Sequence, residues 1–263
     1  MSVLVCFHAH PDDEVFGTGG VMRVAADAGH RVVLVTATDG ALGEYPEGLL
    51  ADGESLLDRR RVELQRSAEV LGAHRLVTLG YADSGMAGTE GNSNAAAFTN
   101  VDVDEAARRL ADVLEAEQAT VLTIYDPAGG YGHPDHVQVH HVGLRAGRLA
   151  GVPYVYEATM NRDRMRAMMD ANPNWNPDEN DESALDVDSF GLPESELTTA
   201  VDVSGVLAAK RAAMKAHESQ IGDFGPFIPM SDDDLAAAFG TEWFRRVIPS
   251  AEDFSNKETG LPL

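Results

Sequence analysis

Short apolar runs rich in β-branched residues alternate along this chain with longer stretches of helical periodicity. "VLVCF" (3–7), "RVVLVTAT" (31–38), "RLVTLG" (75–80), "TVLTIY" (120–125) and "VPYVYEA" (152–158) predict buried strands. Helices are predicted near 17–29, 55–72, 103–118 and 134–150. Strands that are almost continuously apolar and separated by helices form a parallel sheet covered on each side. The expected fold is α/β: a Rossmann-like, mostly parallel sheet with helices on both faces. From about 159 to 200 the pattern dissolves into Asn, Asp, Met and Pro, which predicts an irregular cap or lid before a last helix near 204–217. Neither a repeat nor a linker divides the sequence, so 1–263 is read as a single domain carrying that insert.

In such a sheet, ligands bind outside the carboxyl ends of the strands. The loops leaving the predicted strands hold the chain's unusual residues. "HAHPDDE" (8–14) follows the first strand, "TDGALGE" (38–44) the second, "YADSGM" (81–86) the third and "DPAGGYGHPDH" (126–136) the fourth. All four fall on one rim.

Composition narrows the partners. Forty-three acids against 20 bases give a formal charge of −23 over 263 residues. That surface repels nucleic-acid phosphates and anionic membranes, so neither is expected as a partner. The acids are densest in "NPNWNPDENDESALDVD" (172–188), a solubilising surface. Cys6 is the only cysteine, which excludes an intrachain disulfide and a thiolate zinc cluster; it is expected in the core. The apolar opening is too short for a signal peptide, and no stretch approaches a membrane span. A cytoplasmic protein is the expectation.

Adjacent carboxylates are unfavourable unless a cation or a proton neutralises them. "HPDD" supplies an imidazole and carboxylates in one short loop, and "HPDH" (133–136) supplies two more imidazoles at a helix start. Two histidines and one carboxylate around a metal, with a position open to water, make a catalytic rather than a structural site. Taken alone, each motif also reads as a turn or a helix cap; their meeting on one rim favours metal chemistry. Such a cation acidifies water and polarises a carbonyl. The polar groups left over in both motifs suit proton transfer, and so a hydrolase. His8, His74, His140 and His141 are read as structural or solvated. "GTGG" (17–20) lacks the dinucleotide-binding spacing and is read as helix packing.

"AHPDDE" paired with "GGYGHPDH" resembles the LmbE-like, or PIG-L-like, metal-dependent N-deacetylase superfamily, which includes de-N-acetylases of N-acetylglucosaminyl-phosphatidylinositol and the deacetylase and conjugate amidase of mycothiol metabolism. The resemblance covers most of 3–158, weakens in the 159–200 insert and returns in "KRAAMKAHESQ" (210–220). It implies His10, Asp13 and His136 as ligands of a divalent metal, Zn2+ ahead of Fe2+. It implies Asp12 as general base and His133 as the group that stabilises the oxyanion and protonates the leaving amine. Asp135 would orient a histidine, and Tyr131 would contribute to the transition state. Arg60 (with Arg59 and Arg61 as alternative registers), Asp83 and Glu44 would contact the sugar. The implied enzyme is a zinc-dependent N-deacetylase that removes an N-acyl group, foremost acetyl, from an N-acetylglucosaminyl conjugate. Its partner would be that small amino-sugar molecule, and the family's habit implies a homo-oligomer. Alternatives are an amidase for a larger thiol conjugate and a noncatalytic sugar- or metal-binding module.

Overall fold

The structure, a computed structural model, describes residues 1–171, 187–250 and 256–263. Its strands are β1 (Val3–His8), β2 (Arg31–Thr38), β3 (Arg75–Tyr81), β4 (Val121–Tyr125), β5 (Tyr154–Thr159), β6 (Thr199–Asp202) and β7 (Thr241–Ile248). They form one sheet in the order β3-β2-β1-β4-β5-β7-β6. The first five run parallel, and β7 lies antiparallel between β5 and β6. The helices are α1 (Asp13–Gly17), α2 (Gly19–Asp27), α3 (Leu56–Leu71), α4 (Val103–Glu117), α5 (Pro134–Leu149), α6 (Arg162–Ala171), α7 (Leu207–Ala216), α8 (Ile221–Phe224) and α9 (Asp232–Phe239).

Strand β1 is buried along its whole length, and its alternation divides the core. Val5 and Phe7 join Ile124, Leu110 and Val142 on the face covered by α4 and α5. Leu4 and Cys6 join Leu34, Met22, Leu71 and Met214 on the face covered by α2, α3 and α7. From β1 the chain builds outward through β2 and β3; from β4 it builds the other way through β5. The crevice between the carboxyl ends of β1 and β4 is therefore a topological switch point, where open α/β sheets bind ligands. "HPDD" leaves β1 and "HPDH" follows β4, so both motifs reach that crevice.

The strands expected from the sequence form within a residue or two of their places. The helix expected over 17–29 divides at Thr18, whose backbone leaves the helical region (φ −141°) and whose Oγ1 lies 2.8 Å from His8 Nε2. The region expected to be an irregular cap holds α6 and the first residues of β6; its 172–186 portion lies outside the described residues. Strand β7 and its pairing with β6 were not legible. "TEWFRRVI" mixes Glu242, Arg245 and Arg246 into an apolar run, and each charge finds its partner inside the fold. Among the described residues no helix is long and apolar enough to cross a membrane.

Candidate active site

The carboxyl ends of β1 and β4 bring three donor groups into one triangle. His10 Nδ1 lies 3.3 Å from His136 Nε2 and 3.3 Å from an Asp13 carboxylate oxygen. His136 Nε2 lies 3.3 Å from the other Asp13 oxygen. Donors around a tetrahedral zinc with bonds of about 2.05 Å stand about 3.3 Å apart, so the triangle fits one ion. His133 also offers a ring nitrogen within 4.8 Å of His10 and His136. The Asp13 triangle combines a carboxylate with two imidazoles.

Each ligand's orientation is fixed from behind. Asp135, fully buried, accepts from His10 Nε2 at 3.2 Å and from the backbone N–H groups of Ser84 and Thr99 at 2.9 Å each. The His10 proton is thereby held on Nε2, and Nδ1 faces the triangle. His136 Nδ1 donates to the Gly129 carbonyl at 3.2 Å, which leaves Nε2 free. Only glycine suits that approach: Gly129 has φ +65°, and a Cβ there would stand 2.6 Å from the His136 Cβ. Burial alone would lower the His10 pKa. The Asp13, Asp135 and Asp83 carboxylates outweigh it and raise the value well above the usual histidine range. The electrostatics of the crevice thus favour positive charge where the donors converge.

Asp12 stands beside this triangle with its side chain 14% exposed. Arg60, reaching over from α3, donates to Asp12 Oδ2 at 2.9 Å, to the Pro11 carbonyl and to the Gly40 carbonyl at 2.7 Å. Burial pushes the Asp12 carboxyl up to about 7, against the pull of Arg60. Arg60 is thus the arginine that faces the site, whereas Arg59 pairs with Glu54 at 2.8 Å. The guanidinium is buried on the base rather than presented to open solvent.

His133 caps α5, its Nδ1 accepting the Asp135 N–H at 3.2 Å, so the neutral ring carries its proton on Nε2. Burial, with His10 and His136 alongside, lowers its pKa to about 4. Tyr131 is 41% exposed, with its ring centroid 4.8 Å from that of His136 and 6.2 Å from that of Phe190. Asp83 accepts from the backbone of Leu42 and Gly85 at 3.1 and 2.8 Å and borders an open cavity of about 460 Å³ whose walls include Asp39, Leu42, Glu90 and Asn94. Glu44 is exposed on the loop after β2.

Two buried carboxylates tie the late 217–220 segment to the site's elements. Glu14 meets His217 Nε2 at 2.7 Å, and Glu63 accepts from the Ser219 N–H and hydroxyl at 2.9 and 2.5 Å. Gln220 Nε2 donates to the Glu44 carbonyl at 3.1 Å. The 217–220 segment therefore braces α1, α3 and the loop after β2 together. The resemblance of "KRAAMKAHESQ" (210–220) to the family pattern was its signal. His8, by contrast, is structural as expected, bonded at 2.8 Å to both Tyr125 and Thr18.

Residues 5–147 match the model of the PIG-L family, GlcNAc-PI de-N-acetylase. The chain is 37% identical to the 1D-myo-inositol 2-acetamido-2-deoxy-alpha-D-glucopyranoside deacetylase of Thermomonospora curvata, over 90% of this chain and 87% of that one. It is 38% identical to the enzyme of the same name from Acidothermus cellulolyticus, over 92% and 87%. Among solved structures, the N,N'-diacetylchitobiose deacetylase from Pyrococcus horikoshii superposes with a TM-score of 0.62 at 21% identity, covering 94% of this chain and 84% of that one. The Pseudomonas putida hydratase GalB also superposes, with a TM-score of 0.58 at 19% identity, over 96% and 99%. The fold is thus shared by unlike chemistries, and family membership rests on the sequence match. On that match the chain belongs to the PIG-L family.

Proposed function

We propose that this protein is a metal-dependent N-deacetylase that hydrolyses the acetamido group of an N-acetylglucosaminyl conjugate, with N-acetylglucosaminyl-inositol as the leading substrate. The observation that carries it is the triangle of His10, Asp13 and His136 with Asp12 held on Arg60 beside it. Two imidazoles and a carboxylate suit Zn2+, with Fe2+ as the competing ion. Bound there, the cation supplies acidification of water and polarisation of the amide carbonyl.

The chain's own residues do the rest. Asp12 is the proton acceptor for the attacking water, and Arg60 fixes the direction of its carboxylate. His133 enters the reaction neutral and turns Nε2–H toward the oxygen on which negative charge grows. The proton taken by Asp12 is then available to the departing nitrogen, so Asp12 shares with His133 the protonation expected of His133. Tyr131, standing over His136, closes the same side. The cavity beside Asp83 has the size of a ligand site; its carboxylate and the exposed Glu44 suit sugar hydroxyls.

The deciding experiment measures acetate release from N-acetylglucosaminyl-inositol, diacetylchitobiose and a thiol-conjugate amide, with metal content determined on the same preparation. Turnover of an N-acetylglucosaminide that tracks metal content is expected. Sugar and metal binding without hydrolysis of any member of the panel would overturn the assignment.

A further inference from the structure

Asp12 sits in a backbone conformation that a residue with a side chain rarely adopts, φ +129° with ψ −32°. Such strain persists only where neighbours over-determine it. Arg60 grips the carboxylate and the preceding carbonyl, but neither contact holds the Asp12 amide. That amide donates to Glu14 Oε2 at 3.0 Å. Glu14 is fully buried, and its other oxygen accepts from Ser67 Oγ and His217 Nε2. A carboxylate so deeply enclosed needs those donors. They arrive from α3, which also carries Arg60, and from the turn after α7.

We infer that Glu14, locked in place by His217 and Ser67, is a positioning residue that holds the Asp12 backbone in its strained conformation and so aims the Asp12 carboxylate. The inference rests on Asp12 being the proton acceptor. Its geometry is specific. One Glu14 oxygen reaches back to the base and the other is anchored at the rear, so the strain at Asp12 is carried by the core. His217 is itself fully buried and stacks on Phe224, ring centroids 5.9 Å apart, which leaves the imidazole no freedom to follow a loosened Glu14.

Glu14→Gln keeps the shape but provides a single acceptor oxygen for the two sides. Measured on the full chain with N-acetylglucosaminyl-inositol, its kcat should fall about ten- to a hundred-fold, with KM and metal content within about two-fold of wild type. Ser67→Ala, which removes one rear donor and leaves His217, should give a smaller fall in kcat with KM again unchanged. In an Asp12→Asn background, Glu14→Gln should cause no further loss, because it acts only through Asp12. A native kcat in Glu14→Gln, or an equal loss in the Asp12→Asn background, overturns the assignment; so does loss of metal in step with activity. Near-native turnover by Asp12→Asn would instead overturn Asp12 as the base, whatever Glu14→Gln does. The two failures are thereby told apart.

Discussion

His10 Nδ1 and His136 Nε2 face each other at 3.3 Å across 126 positions of chain. Neither side chain is brought there by a local turn. The first leaves β1, the second opens α5 after β4, and only the adjacency of those strands in the sheet joins them. A metal binding the pair therefore reports on the global fold as well as on the site.

Removing a ligand and removing its support should differ in degree. His136→Ala takes away one corner of the triangle and should lower both metal content and turnover by at least about a hundred-fold. Asp135→Asn leaves every ligand but loosens the His10 ring, and should lower metal affinity about 10–100-fold. Metal analysis after dialysis against a graded chelator checks both. Native affinity in Asp135→Asn would mean that Ser84 and Thr99, rather than His10, are what Asp135 serves.

Asp12 should separate metal binding from chemistry. Asp12→Ala is expected to bind metal as wild type does while kcat falls about 10²–10⁴-fold. Steady-state kinetics beside metal analysis is the measurement, and a rate near that of wild type would take Asp12 out of the mechanism.

What could be read from the sequence follows from the range of each interaction. Buried parallel strands declare themselves locally, because β1 over Val3–Phe7 and β2 over Val32–Thr38 consist of apolar or small residues. "HPDD" and "HPDH" are equally legible, since ligand chemistry restricts residue type at a few positions. Glu14 was not: it looked like one more acid in a cluster, because its partner His217 stands 203 positions away. Arg60 was found through the family pattern, but its grip on Asp12 depends on how α3 is placed against α1. Strand β7 was hidden for a related reason. The charges that disguise it are satisfied by Lys210, Glu157 and Glu258, none of them nearby enough in sequence to flag a strand.

Lys210 and Glu242 form an ion pair sealed in the core, their side chains 1% and 2% exposed and 2.7 Å apart. Glu242 also accepts from the Gly20 and Val21 N–H groups at the start of α2, at 2.7 and 2.8 Å. Lys210→Met fills the space but leaves a buried carboxylate facing only those dipoles. Breaking such a pair from one side costs about 3–5 kcal/mol. Urea unfolding should show that loss. Restoring the balance with Glu242→Gln in the same chain should recover part of it, and a Lys210→Met protein as stable as wild type would show that the helix start alone carries Glu242.

Glu117 closes α4 between two guanidiniums, 2.5 Å from Arg31 Nε and 2.5 Å from Arg75 Nη1. The hydrogen bond from Arg31 holds its carboxyl below the ordinary value of 4.5; burial opposes it, and Arg75 adds to the lowering. A carboxyl whose pKa is lowered by folding stabilises the native state above its unfolded pKa, and that contribution fades as pH falls through the folded one. The arginine side chains are 35% and 46% exposed, so water screens the pair and its contribution is about 1 kcal/mol. Glu117→Gln should therefore be less stable than wild type by about that amount at pH 7. The gap should hold down to roughly pH 4.5 and narrow below it. Raising the salt to about 1 M should narrow it at pH 7 as well, because exposed guanidiniums are screened over a few ångströms there. Denaturant midpoints across that pH range test the sign directly: a gap that widened on acidification would mean that Glu117 is stabilised by burial of its protonated form, not by Arg31 and Arg75.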